Sequence, residues 1–495
     1  MRRLVFAILL VPPVLSLGCG SSSPAAPSNP TPAPPPATPP PTPPPTPSSD
    51  TTPPVCALTF PGSFATGLSG AVTLAATATD DVGVAGVDFQ LDGADLGTAT
   101  QAPYTFTLPD TGVYAAGQHV VGARSRDAAG NASPWSKAVV AFGGRAALPA
   151  GFTLTSLPGT LSSATALGAA PDGRIFVCEQ AGALRIYKNG SLLAAPFATL
   201  PATASGERGL LGVTFDPAFD ANGYLYVYYT ATSPVIHNRV SRLAADPGNP
   251  DRMLAGSETI LVELPALVAD NHNGGALHFG PDGKLYVGVG ENRVGANAPS
   301  LSSPLGKILR YNADGSIPPD NPFYGTATEG NRAIWALGLR NPFTFAFQPG
   351  TSRMHINDVG QSTWEEVDLG AAGANYGWPS TEGPTTTPGF TTPLFAYGHS
   401  GIPPGQPAST GTFLVGQAIL GAAFDPPSST WPAAYKGSYY FGDLVGGWVA
   451  RLHLASGNVS LFASGFEQEM RDLAFGQDGA LYVLVQSGLM RISRE

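Results

Sequence analysis

One histidine in this chain stands where chemistry is easiest to place, in the run Asn271-His272-Asn273-Gly274-Gly275. The stretch after it reads as two short alternating strands, Ala276 to Phe279 and Lys284 to Val289, joined by the turn Gly280-Pro281-Asp282-Gly283. His272 therefore sits on the loop that enters a hairpin. The paired glycines let that loop take backbone angles closed to other residues, or let a ligand approach the backbone. An imidazole on such a loop is a candidate general base, because it titrates near neutrality. Further polar residues fall where a strand pattern begins or ends: Glu207-Arg208-Gly209, Glu291-Asn292, Arg340-Asn341-Pro342, Asp358-Val359-Gly360-Gln361 and Arg471-Asp472. Together they offer an imidazole, several guanidinium groups and several amides, a set suited to an acidic, carbonyl-rich ligand.

What positions these residues is a repeat, whose unit is a strand, a Pro-Asp-Gly-like turn and a second strand of the Leu-Tyr-Val type. Its six copies are centred on Pro171-Asp172-Gly173, Phe215-Asp216-Pro217, Phe279-Gly280-Pro281, Phe347-Gln348-Pro349, Phe424-Asp425-Pro426 and Phe475-Gly476-Gln477. Each unit is long enough for a four-stranded sheet, so the pattern predicts a six-bladed β-propeller over 150–495. The extended segment Phe152 to Leu161 is expected to supply a closing strand to the last blade. A propeller gathers loops from every blade at one channel mouth, which lets residues distant in sequence converge.

The composition agrees with an all-β chain. Of 495 residues, 61 are Gly and 50 are Pro while only 12% are charged, so long helices are not expected. The net charge of −10 argues against a nucleic-acid partner, since no basic stripe is available to neutralise phosphates. Residues 1–19 carry Arg2-Arg3, an apolar block from Leu4 to Leu17 and then Gly18-Cys19, the layout of an export signal. Cys19 after a small residue resembles the lipidation site of bacterial lipoproteins, which implies an exported chain tethered to the cell envelope. Residues 20–49 are nearly half proline and form a semi-rigid spacer reaching up to roughly 90 Å at about 3.1 Å per residue. Residues 50–145 show short strands, among them Val72 to Thr79, Val87 to Leu91, Tyr104 to Leu108, His119 to Arg124 and Ala138 to Phe142, the spacing of a β-sandwich. The runs Asp50-Thr51-Thr52-Pro53-Pro54, Asp80-Asp81-Val82-Gly83 and Asp127-Ala128-Ala129-Gly130-Asn131 resemble bacterial immunoglobulin-like modules appended to secreted enzymes. Cys56 and Cys178 fall in different predicted domains and are expected to be buried free thiols.

From Gly206 to about Ile492 the chain resembles the glucose and sorbosone dehydrogenase family. The motifs that carry the resemblance are Gly206-Glu207-Arg208-Gly209-Leu210-Leu211-Gly212, His272-Asn273-Gly274-Gly275, Gly306-Lys307-Ile308-Leu309-Arg310, Gly338-Leu339-Arg340-Asn341-Pro342, Asp358-Val359-Gly360-Gln361 and Asn375-Tyr376-Gly377-Trp378. The resemblance implies an enzyme using pyrroloquinoline quinone (PQQ) and calcium to oxidise an aldose at its anomeric carbon to the lactone, and passing electrons to an external acceptor. It implies His272 as the base, Glu291 as the carboxylate that orients it, and Arg340 and Asn341 as contacts to the quinone. It places Glu207, Asn271 and Arg471 at the cofactor, and the backbone carbonyls of Gly360 and Gln361 at calcium. The chain also departs from the family pattern. Val359 stands where PQQ-dependent members carry glutamine, Glu469 where they carry arginine, and no lysine accompanies Phe424-Asp425.

Plainer roles are expected for other residues. His278 and His355, on strands, read as structural; Asp216, Asp282 and Asp478 read as turn residues bonding their own backbone. The pair Asp80-Asp81 reads as a solvated turn, Glu207-Arg208 as a candidate structural ion pair in the channel wall, and Trp364 and Trp378 as either blade core or sugar platforms. The alternative to the dehydrogenase is a non-redox propeller lacking PQQ that binds carbohydrate or protein, as in hedgehog-interacting relatives of the same family.

Overall fold

The structure, a computed structural model, describes residues 50–62, 65–114, 117–142, 148–399, 414–427, 429–466 and 470–494. The signal segment with Cys19, the proline-rich spacer and Glu469 lie outside the described residues.

Residues from Val55 to Phe142 form two sheets. One orders the strands Val55–Phe60, Val72–Thr79 and Tyr104–Leu108; the other orders Ala65–Leu68, Ser136–Phe142, Gly117–Asp127, Val84–Leu91 and Ala94–Ala99. In Val72–Thr79 the buried positions alternate, and Val72, Leu74 and Ala76 meet Val87, Phe89 and Val121 from the facing sheet. Period-2 burial on both inner faces is what makes a sandwich. Asp80 fills the expected turn role, its Oδ2 accepting the Val82 and Gly83 N–H groups, while carboxylate oxygens of Asp50, Asp80 and Asp81 converge within 4.8 Å. Cys178 is a buried free thiol as expected, whereas Cys56 is only partly buried, at the end strand of its sheet.

Six further sheets follow, each built around an antiparallel hairpin, and together they make the propeller. Their innermost strands are Ala164–Ala169, Leu210–Phe215, Leu277–Phe279, Pro342–Phe347, Ile419–Phe424 and Met470–Phe475. Every repeat turn recognised in the sequence connects the first and second strands of one blade. The aspartates of these turns do more than bond their own backbone. Asp282 accepts the Lys284 N–H and also holds Tyr286 Oη at 3.0 Å and Arg310 Nη2 at 2.9 Å; Asp478 does the same for Ala480, Tyr482 and Arg491. The turn carboxylate thus clasps two strands of its blade.

The last blade is closed by Phe152–Ser156, which pairs with Gly488–Arg494 and places Phe152 edge-on against Trp431, Tyr435 and Phe462. The second strand of the His272 hairpin differs from its expected alternation: all five residues of Leu285–Val289 are buried. A blade packs between two others, so both faces of its inner strands are covered and the polar alternation is lost. Among the described residues the α-helical content is one short segment, Phe219–Asn222.

The inner strands surround a central cavity of about 220 Å³, to which every blade contributes, including Ala166, Val213, Leu277, Thr344, Ala422 and Leu473. The turns at 169–171, 215–217, 279–281 and 347–351 line one mouth of this channel. The segments that enter the inner strands gather at the opposite mouth.

Candidate active site

At that opposite mouth lies a cavity of about 310 Å³ lined by Glu207, Asn341, Val359 and Arg471, with Gln180 and Gln486 beside them. The size is that of a small-ligand pocket. Five blades contribute, each through the stretch where the chain enters or leaves an inner strand.

His272 and Arg340 do not themselves line this cavity but adjoin residues that do, His272 through its bond to Glu207 and Arg340 as the neighbour of Asn341; the His272 backbone is in the left-handed region, φ 54°. For a residue other than glycine that conformation persists only where neighbours over-determine it. Glu207 Oε2 accepts the His272 N–H at 2.7 Å, and Asn292, almost fully buried, ties the loop with its side chain to Val268, Ala269 and Asn271. The glycines that follow are required by close approach of the protein itself. A Cβ on Gly274 (φ 65°) would stand 2.4 Å from the Gly288 carbonyl oxygen, and one on Gly275 (φ 134°) 2.7 Å from Leu211 Cβ.

The imidazole is bonded at both nitrogens. Nδ1 lies 2.6 Å from Glu291 Oε1, and Nε2 lies 2.8 Å from Arg340 Nη2. Glu291 accepts and Arg340 donates, so the neutral ring carries its proton on Nδ1 and turns its lone pair at Nε2 toward the guanidinium. Glu291 is 2% exposed and its second oxygen has no hydrogen-bond partner among the described residues, so the carboxylate is committed to the histidine.

Arg340 is itself fixed. Its Nη1 donates to the Val359 carbonyl at 2.8 Å, Nε and Nη2 donate to Gln361 Oε1 at 3.1 and 2.8 Å, and the guanidinium stands 5.6 Å from the Trp378 ring centroid. Trp378 is therefore a platform for Arg340, whereas Trp364 is buried in its blade. Asp358 accepts the backbone N–H groups of both Arg340 and Asn341, at 2.8 and 2.6 Å, and burial pushes its carboxyl up to about 6 against those two bonds. Asn341 Oδ1 accepts the Gly274 N–H at 3.0 Å, which leaves its amide NH₂ as the group to meet a ligand in the cavity it lines.

The remaining expected residues divide. Glu207 and Arg208 are not paired with each other; Arg208 instead donates to the Ala269 carbonyl at 2.8 Å. Arg471 lines the cavity and donates to Gln486 Oε1 at 3.0 Å. Asn271 does not line the cavity, and its side-chain oxygen is buried with no hydrogen-bond partner among the described residues. Gly360 and Gln361 lie on the turn beneath Arg340, with their N–H groups taken by Glu365 and Glu382. His278 and His355 sit on inner-sheet strands, where burial pulls each down to about 4 and keeps them neutral.

With this geometry in view, comparison with known proteins decides the family. The model for glucose/sorbosone dehydrogenases matches residues 161–494, and a bacterial Ig domain model matches residues 54–123. The chain belongs to the glucose/sorbosone dehydrogenase family. Among relatives of this dehydrogenase-family chain, the aldose sugar dehydrogenase YliI of Escherichia coli is 28% identical over 379 residues, spanning 70% of this chain and 94% of that protein. The quinoprotein glucose dehydrogenase B of Acinetobacter calcoaceticus is 30% identical over 249 residues, spanning 43% of this chain and 49% of its own length. A solved putative oxidoreductase of Thermus thermophilus, described as a glucose dehydrogenase, superposes with a TM-score of 0.58 at 30% identity, covering 69% of this chain and 100% of that one.

Three features of the glucose/sorbosone dehydrogenase-family site were not read from the sequence: the Gln361 bond to Arg340, the Asp358 clamp and the lining by Gln180 and Gln486. A signal was present, since each lies within a few residues of an inner-strand boundary on the His272 side. Pattern alone does not say which of these side chains turn inward.

Proposed function

We propose that this protein is a PQQ- and calcium-dependent aldose dehydrogenase. The observation that carries the reading is the buried chain Glu291–His272–Arg340, with spacings of 2.6 and 2.8 Å, beside a cavity furnished with an arginine and an amide. The donor set suits the cofactor. PQQ is planar, carbonyl-rich and acidic, and the guanidinium groups of Arg340 and Arg471 with the Asn341 amide are the groups that recognise such a ligand. For calcium, the N–H groups of Gly360 and Gln361 are already taken, so carbonyl oxygens are what this turn has left to offer a hard cation. When bound, PQQ supplies the two-electron acceptor that the polypeptide lacks.

The polypeptide's own part is proton transfer and orientation. His272 Nε2 would take the proton of the anomeric hydroxyl once that hydroxyl displaces the Arg340 N–H from its lone pair, as C1 gives up its hydride to the bound two-electron acceptor, which leaves the lactone. Glu291 stabilises the imidazolium that results and keeps Nδ1 protonated throughout. Arg340, held by Gln361, the Val359 carbonyl and the Trp378 face, keeps a positive charge beside the reacting atoms. The relatives named as aldose and glucose dehydrogenases support a sugar substrate, and the term quinoprotein supports PQQ.

The test is to titrate the purified protein with PQQ and calcium, then follow dye reduction with a panel of aldoses, with His272→Ala in parallel. Saturable activity that is lost in the variant is expected. Absence of PQQ binding at micromolar concentration would refute the reading and return the propeller mouth to the binding-protein alternative. On the pattern of residues 1–19, the same reading has the protein exported and anchored through Cys19; labelled fatty acid should be incorporated by wild type and not by Cys19→Ser.

A further inference from the structure

The turn beneath the His272–Arg340 pair, which presents Gln361, is itself held by a carboxylate from another segment. Residues 361–364 direct four successive backbone N–H groups at one oxygen: Glu382 Oε1 accepts from Gln361, Ser362 and Thr363 at 2.9 Å each and from Trp364 at 3.1 Å. Consecutive N–H groups converging in this way form an anion-binding concavity, and here the chain fills it with its own carboxylate. Burial disfavours the Glu382 charge, but the four donors outweigh it and hold the carboxyl below its usual range. The neighbouring residue is fitted just as closely. Gly383 has φ 84°, and a Cβ there would lie 2.1 Å from the Trp364 ring, so the residue after Glu382 packs directly on the end of the turn and only glycine fits.

The turn matters because of its first side chain. Gln361 Oε1 takes two of Arg340's N–H groups, and Arg340 Nη2 divides its hydrogens between Gln361 and His272 Nε2, at 2.8 Å each. We propose that Glu382 is a positioning residue for the reaction: its carboxylate locks turn 361–364, the turn presents Gln361, and Gln361 aims the Arg340 guanidinium at His272. The idea rests on the dehydrogenase reading for its catalytic meaning, while its structural content stands independently of it.

The experiment uses the full chain with Glu382→Ala, Glu382→Gln, Gln361→Ala and the double variant Glu382→Ala/Gln361→Ala. Without PQQ or calcium, amide hydrogen exchange at 361–364 should quicken in Glu382→Ala. The Arg340 Nε–H resonance, assigned by its absence in Arg340→Lys, should pass from slow to fast exchange with water. In the loaded enzyme kcat should fall about 10- to 100-fold, the usual effect of removing an outer partner of a site group, with KM for the sugar nearly unchanged. Glu382→Gln, which keeps the shape and one acceptor, should fall between wild type and Glu382→Ala, and it carries the test should the alanine variant fail to fold. The double variant should be no worse than Gln361→Ala, because both act through one path. An Arg340 resonance as slowly exchanging in the folded Glu382 variants as in wild type overturns the proposal, and so do additive losses in the double variant. Should the wild type reduce no dye, the dehydrogenase reading falls while the Arg340 resonance still decides the positioning role.

Discussion

Replacing Glu291 by glutamine isolates one charge at the centre of the site. The carboxylate contacts His272 Nδ1 at 2.6 Å, is 2% exposed, and has no other described partner for its second oxygen. Glutamine keeps the shape and an acceptor oxygen, so the ring keeps its place; what is lost is the negative charge that offsets the imidazolium. A hydrogen bond to a charged group contributes about 1.5–3 kcal/mol. At about 1.36 kcal/mol per tenfold in rate, that corresponds to a fall of about 10- to 150-fold. The charge on the ring develops only as the proton leaves the sugar, so the loss should appear in kcat and leave KM for the sugar nearly unchanged. The assay is steady-state dye reduction at saturating PQQ and calcium from about pH 6 to 9, so that a shifted pH optimum is not mistaken for a lost rate. Thermal unfolding serves as the control for folding. A Glu291→Gln enzyme that matches the wild-type kcat within about twofold across that range, well under the effect of one charged hydrogen bond, would refute the assignment of Glu291 to the reacting histidine.

Two further outcomes follow from the fold. Burial pushes the carboxyls of Asp358 up to about 6 and of Glu365 and Asp472 up to about 7. A group whose folded value lies above its unfolded one contributes stability fully present below the unfolded value near 4 and lost as pH rises through the folded value. Tm should therefore decline between about pH 5 and 8, and a rise over that window in calorimetry would contradict the burial of these groups. Phe152→Ala should destabilise the protein by about 3–5 kcal/mol, read as a lowered urea midpoint, because it empties the contacts with Trp431, Tyr435 and Phe462; an unchanged midpoint would mean that the closing strand does not support the ring.

The architecture was legible because its signals are local. Six turns of the Pro-Asp-Gly kind mark six blades, and strands such as Val72–Thr79 and Tyr104–Leu108 stand where alternation puts them. Strands such as Ala94–Ala99, with mostly small or exposed residues, carry too little pattern to be seen. In the site, His272 and Arg340 could be nominated from loop position and family likeness, but their mutual contact could not, since they are 68 residues apart and meet only through the ring geometry. Glu382 shows the same limit more sharply. Its role lies wholly in four backbone N–H groups, and no residue type announces a backbone conformation. Glu207-Arg208 misled for the opposite reason: adjacent opposite charges suggest pairing, yet both bond to the loop that carries His272.

The strand Phe152–Ser156 pairs with the end of the chain, and Thr153 meets Ser493 across 340 residues of sequence. Synthesis runs from the N-terminus, so this strand is made well before the partner it waits for. Until then the ring is open and its sixth blade has an unpaired edge, a state in which backbone groups invite the wrong neighbour. Contacts this distant form slowly, because a long loop must close before they contribute. A nascent chain of this design cannot lock its ring until Gly488–Arg494 has been made.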